Sequence, residues 1–194
     1  MARGKKNAAR LNAWLVFIDE SGLLMSPLVR RSWAPRGHTP VLYQRTRSHQ
    51  KVSIIGALCV APTRDHVQLY FRLHRNANVN AQRTVSFLIQ LDRQLAAPFV
   101  LVWDRLQAHR ATVVREFLLA HRHVRSVFLP PYAPELNPIE YLWAYLKMNP
   151  LANLPIFDSQ ELTIRARLHA RSLQHQPDLL KSFVQHSPLS LRLK

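Results

Sequence analysis

The chain has 194 residues, 47% of them hydrophobic and 20% charged, with a formal net charge of +16 from 27 Lys and Arg against 11 Asp and Glu. That composition excludes an extended disordered chain, and no apolar run reaches the roughly 18 residues a membrane span needs. The single cysteine, Cys59, lies in the apolar run "VSIIGALCV", which excludes an internal disulfide framework or a cysteine metal cluster and reads as a buried, inert thiol.

The predicted elements follow in chain order. "MARGKKNAAR" is basic and is not followed by an apolar secretory segment, so residues 1–11 read as a tail before one domain over 12–194. The core of that domain is expected to run to about residue 150, with a helical extension after it. "WLVFID" (14–19) is a continuous apolar run ending in an acid, as in a strand buried on both faces. "SWAPRGHTPVLYQ" carries turn signals and leads into the strand "VSIIGALCVA" (52–61). In "VQLYFRL" (67–73), Val67, Leu69, Phe71 and Leu73 alternate with polar positions, which predicts a half-buried strand. Val85, Leu88, Leu91 and Leu95 then recur at helical spacing over 81–96.

The second half repeats this logic. "FVLVWD" (99–104) is another buried strand ending in an acid, "ATVVREFLLAHR" is an amphipathic helix and "VRSVFL" (124–129) a further strand. A helix follows from Pro138. "DSQE" (158–161) has the pattern of a capping box and starts a helix to about Leu173, and a last helix covers 177–186. Antiparallel-type strands followed by alternating helices and strands predict a mixed α/β sheet flanked by helices.

The excess of positive charge favours a polyanionic partner, nucleic acid being the commonest; an anionic membrane or ribosomal RNA fits the charge equally well. Against this background three acids stand out. Asp19 and Asp104 end buried strands, where α/β sheets gather ligands. Glu140 opens a helix behind "LPPYAPELNP". If the three converge, an all-oxygen donor set suits a hard divalent cation, Mg²⁺ or Mn²⁺, and two such ions suit phosphoryl displacement.

Each acid also has a purely structural reading. Asp19 can be a solvated strand end, and Asp104 can start a turn. Asn137 can cap the helix with Pro138 in its first turn, leaving Glu140 to close a capping box. Glu20 is sent to the opposite face from Asp19 by strand alternation and is set aside. "HRH" (121–123) reads as solvated rather than as a metal pair. His109, on the loop after Asp104, is a candidate for touching a phosphate or supporting a ligand, Trp143 a core anchor, and Lys147 a DNA contact. The four glycines form no phosphate-binding loop.

Together, "FIDESG", "WDRLQAHR" and "LPPYAPELNPIEYLW" resemble the signature blocks of DDE-type transposases, in particular the bacterial insertion-sequence branch of the mariner superfamily. The 35 residues between Asp104 and Glu140 fit that group, and the resemblance extends to "SWAPRGHTPVL" and "LANLPIFDSQEL". It implies an RNase H-like fold with a five-stranded sheet. It also implies that Asp19, Asp104 and Glu140 form a catalytic triad binding Mg²⁺ or Mn²⁺, two ions in all, with Asp19 placed to bridge them. The implied reaction is cleavage and strand transfer of DNA at insertion-sequence ends, in the bacterial cytoplasm at the nucleoid.

Many relatives carry Asn after the second aspartate; here it is Arg105, which with Arg36, His109 and Lys147 makes up the expected DNA contacts. Relatives also begin with helix-turn-helix domains, and no such pattern fits in the eleven-residue tail. End recognition is therefore expected from a separate helix-turn-helix product of an upstream frame, and synapsis from a homo-oligomer. The rival expectations are an inactive nucleic-acid-binding remnant and an RNase H-like nuclease with its own substrates.

Overall fold

The computed structural model describes residues 12–25, 28–41, 50–189, 191 and 193. The basic tail, Arg45 and Arg47 lie outside these residues. Five strands form one sheet: β1 (Trp14–Leu24), β2 (Lys51–Val60), β3 (Val67–Arg75), β4 (Phe99–Trp103) and β5 (Val124–Phe128), in the order β3-β2-β1-β4-β5. The first three strands pair antiparallel, while β4 and β5 run parallel to β1. The helices are α1 (Ala81–Leu95), α2 (Thr112–Ala120), α3 (Pro138–Met148), α4 (Ser159–Gln174) and α5 (Pro177–His186). None of them is long and apolar enough to cross a membrane.

Alternation along the strands divides the interior into two cores. Leu15, Phe17, Ile54, Leu58, Val100 and Val102 face α3, α4 and α5. Val16, Ile18, Ile55, Cys59, Leu101 and Trp103 face α1 and α2. The central strands are apolar on both sides because helices cover both sides, the usual origin of continuous apolar runs. Cys59 is wholly buried there, and burial pushes its thiol up.

Local chemistry sets most helix boundaries. Asn80 caps α1 by accepting from the Arg83 N–H. Asp158 accepts from the N–H groups of Gln160 and Glu161, while the Glu161 carboxylate reaches back to the Phe157 N–H at 3.1 Å. The capping box expected at the start of α4 is thus present, with its return bond one residue upstream of the cap. Pro138 and Pro177 occupy first-turn positions, where a missing N–H costs nothing.

One boundary differs in a way that matters for the site. The sequence places Asp19 at the end of its strand, but β1 continues five residues further, to Leu24. Throughout that extension it pairs with β2, through Leu24↔Lys51, whereas its pairing with β4 stops at Phe17↔Val102. Beyond Phe17 the β4 side of β1 is therefore open. A polar "DESG" run can remain a strand here because the antiparallel partner alone supplies its ladder.

Candidate active site

The opening between β1 and β4 lies where the strand order reverses direction, the usual place for ligands in an open α/β sheet. Leu15 pairs with Val100 and Phe17 with Val102, so the same register continued two residues places Asp19 opposite Asp104. Both belong to the face that α3 covers. From the end of β5 the chain turns through the prolines, with Tyr132 at a φ of 56°, and passes a 3-10 turn at Pro134–Leu136 into α3. This delivers Glu140 to the first turn of α3. Asp19, Asp104, Glu140, Asn137 and Arg105 line one cleft of about 550 Å³, with residues 129–134 as its far wall.

Three contacts dock α3 against the sheet. The Trp143 indole N–H donates to Asp19 Oδ2 at 2.9 Å. Asn137 Nδ2 donates to the Ile18 carbonyl at 3.1 Å. Gly56, the register partner of Asp19 on β2, leaves room for the indole: a Cβ there would lie 2.7 Å from Trp143 Cη2. The capping role expected of Asn137 is overturned, because its side chain makes no cap hydrogen bond and is committed to β1. Glu140 is exposed at the cleft and closes no capping box with it.

The electrostatics of the cleft are those of crowded carboxylates. Burial, then the charges of Glu140 and Glu20, push the Asp19 carboxyl up to about 8, against hydrogen bonds that favour its ionised form. Burial also raises Glu140, helped by the charge of Asp104 and opposed by Lys147. For Asp104 burial acts upward, but hydrogen bonds from His109 and from the Leu106 N–H outweigh it and hold the carboxyl below its ordinary range.

His109 explains that last shift. Its side chain is fully buried, with Nδ1 2.7 Å from Asp104 Oδ1 and Nε2 3.0 Å from Glu20 Oε1. The ring stacks on Trp103, with centroids 4.4 Å apart and planes 15° from parallel. The Trp103 N–H donates to Ser126 Oγ on β5. Carboxylates only accept, so two of them are satisfied by the doubly protonated ring. Burial acts to lower the His109 pKa, yet the two carboxylates lift it to about 9.

The donor set fits a hard cation as an open arrangement, not a closed cage. Among the described residues no three His, Cys, Asp or Glu side chains are drawn together tightly enough to form a preformed metal group. The cleft nevertheless offers only oxygen donors from its three acids, and Asp19, whose charge is disfavoured first by burial and then by Glu140 and Glu20, is a carboxylate that a cation there would stabilise. Asn137 Oδ1, on the same cleft, is buried with no hydrogen-bond partner.

Residues 14–163 match the family described as DDE superfamily endonuclease. The chain belongs to that family. The fold of this DDE endonuclease domain is shared with solved structures of the Mos1 mariner transposase. The Mos1 paired-end complex with the left transposon end is similar at 22% identity and a TM-score of 0.65, over 96% of this chain and 54% of that one. A paired-end complex with Mn gives 19% identity and 0.60, over 98% and 60%. The Mos1 catalytic domain gives 18% and 0.59, over 95% and 79%. The expected RNase H-like fold is thereby confirmed, and the domain spans little more than half of the full Mos1 chains. Comparison with curated protein sequences gave no match.

The structure thus brings Asp19, Asp104 and Glu140 to one cleft, with Arg105 beside them. Arg105 is exposed there, with its guanidinium 5.9 Å from the centre of the Phe128 ring. Arg36 is exposed in a turn closed by the His38 N–H on the Pro35 carbonyl and does not line the cleft. Lys147 is half-buried and near enough to Glu140 to act on its charge. The expectation of a DNA contact at His109 is corrected: both ring nitrogens are occupied and its side chain is enclosed, leaving the supporting role. His121, half-buried, and His123, exposed, flank Asp92, with His123 Nε2 2.6 Å from its carboxylate. Glu20 does lie on the opposite face from Asp19, but it is not idle there. Its adjacency to Asp19 and the position of His109 on the Asp104 loop were the available signals.

Proposed function

We propose that this domain is the catalytic part of a transposase of the bacterial insertion-sequence branch, cleaving DNA at element ends and joining the freed 3′ ends to target DNA. The observation that carries the reading is the shared cleft of Asp19, Asp104 and Glu140 at the β1/β4 opening, in a family of endonucleases. Those three side chains would hold Mg²⁺ or Mn²⁺, two ions by the resemblance. When bound, such ions would supply an activated water and charge neutralisation at the leaving phosphodiester oxygen.

The protein's own share is positioning. Trp143 and the β1–β2 ladder hold Asp19, the loop after β4 holds Asp104, and Asn137 ties the start of α3 so that Glu140 faces the cleft. Arg105 on the cleft, and Lys147 farther along α3, would serve as phosphate contacts, and the +16 chain would draw in the polyanion. Arg36 would extend the footprint outside the cleft. Mos1 is described in paired-end and strand-transfer complexes and with Mn or Mg, which supports DNA ends, target DNA and a divalent cation as the partners. A helix-turn-helix product of an upstream frame would select the ends, a homo-oligomer would form the synapse, and the work would take place at the bacterial nucleoid. Residues after about 150 serve in this reading as a helical extension of the catalytic domain.

Asp104→Asn tests the assignment. It is expected to abolish Mn²⁺-dependent nicking of DNA while leaving DNA affinity, measured by a mobility shift at fixed salt, close to that of the parent. Nicking at the parental rate by Asp104→Asn would remove the reading.

A further inference from the structure

The structure assigns Glu20 and His109 as positioning residues for Asp104, so that β1 sets both aspartates of the cleft: Asp19 directly, and Asp104 through Glu20 on its other face. The inference rests on the reading of the cleft as a cation site. Its basis is a continuous path of short contacts. The Leu106 N–H and the His109 ring both bind Oδ1 of Asp104, at 3.0 and 2.7 Å. Among the described residues Oδ2 accepts no hydrogen bond, so it is the oxygen left for a ligand in the cleft.

His109 cannot swing away from this task. Its side chain is fully buried, its ring is stacked against Trp103, and Glu20 Oε1 fixes the far nitrogen at 3.0 Å. Trp103 is itself pinned by Ser126 on the next strand. A ring clamped at both nitrogens and on one face has one orientation, and it passes that orientation to the Asp104 carboxylate.

Glu20 makes this device possible because alternation turns neighbouring residues of a strand to opposite faces. Asp19 points into the cleft, while Glu20 points to the α1–α2 side, where the loop after β4 folds His109 beneath the sheet edge. The loop therefore carries Asp104 on one side of the sheet and its support on the other. The oxygen Glu20 Oε2 is buried without a partner, so the carboxylate is retained at a cost in solvation that only its Oε1 contact offsets.

Partners that orient a ligand residue alter metal affinity by roughly 10- to 100-fold when removed. The test is Mn²⁺ affinity of the full chain, read by electron paramagnetic resonance well below the melting temperature, with thermal melting measured in parallel. Glu20→Ala and His109→Ala are expected to weaken Mn²⁺ binding roughly 10- to 100-fold, the double variant no more than His109→Ala alone. Glu20→Gln, which keeps an acceptor oxygen for the ring N–H, is expected to recover most of the affinity. A merely structural role would lower the melting temperature and leave the Mn²⁺ affinity unchanged. If Asp104→Asn loses Mn²⁺ while Glu20→Ala binds it as the parent does, the positioning role is overturned and the site stands. If Asp104→Asn also binds as the parent does, both fall. Should His109→Ala not fold, Glu20→Ala decides alone.

Discussion

Trp143 on α3 donates its indole N–H to Asp19 on β1 across 2.9 Å, and the ring reaches that position by lying on Gly56, the residue paired with Asp19 on β2. Burial, a hydrogen bond and a missing Cβ thus meet at one carboxylate. Gly56→Ala is expected to destabilise the domain by about 1–3 kcal/mol, since the added methyl overlaps the indole and also crowds Ile139 Cδ1 at 3.2 Å. In a Trp143→Phe background the same change should cost less, because phenylalanine lacks the outer ring atoms. Urea unfolding of the four proteins measures the coupling; strictly additive costs would count against the overlap.

Asn137 separates two accounts of how Glu140 is placed. At an N-cap, Asp serves as well as Asn. As a donor to the Ile18 carbonyl, Asn cannot be replaced by Asp, which has no N–H to give. Asn137→Asp is therefore expected to cost about 1–3 kcal/mol, as for a buried acceptor left unpaired, and to weaken Mn²⁺-dependent nicking as α3 loosens. Parental stability in a denaturant melt would restore the capping account.

The two raised groups predict loss of stability on the alkaline side. Asp19, lifted to about 8, and His109, lifted to about 9, both bind protons more tightly folded than unfolded. The contribution of each is complete below its unfolded value and disappears as pH rises through its folded value. Asp104 works in the other direction: its depressed carboxyl stabilises above the unfolded value and ceases to as pH falls through the folded one. The metal-free protein should accordingly lose several kcal/mol between about pH 6 and 9. Asp19→Asn should flatten the part of that slope that ends near pH 8 and melt higher than the parent at pH 9, and saturating Mn²⁺ should do likewise for the parent. A melting temperature independent of pH over this range would contradict both shifts.

Arg105 is exposed on the cleft beside Asp104, with its guanidinium over the Phe128 ring. A phosphate contact from it would weaken binding to all sequences alike when removed. Arg105→Ala is expected to reduce the slope of log affinity against log salt by about 1, without a change in sequence preference. Fluorescence anisotropy at several salt concentrations reads this, and an unchanged slope would place Arg105 outside the DNA footprint.

Much of this site was written in local patterns. The apolar runs before Asp19 and Asp104 identified strands buried on both faces, the alternation in "VQLYFRL" identified a half-buried strand, and Asp158 with Glu161 marked the start of α4. Such features depend on residues a few positions apart, and their period or spacing is visible along the chain. Alternation also placed Glu20 correctly on the face away from Asp19. What the sequence could not contain was the occupant of that face. His109 arrives there only because a loop folds it under the sheet, where its enclosed ring joins Glu20 to Asp104. In the same way Asn137 had the right identity and position for a cap, yet tertiary contact gave its amide a carbonyl on β1. The extent of β1 beyond Asp19 was likewise decided by its partner β2, not by its own polar residues. Local chemistry named the strands, helices and acids. Long-range packing decided which polar groups face one another, since partners 89 to 124 residues apart meet only when the sheet has formed.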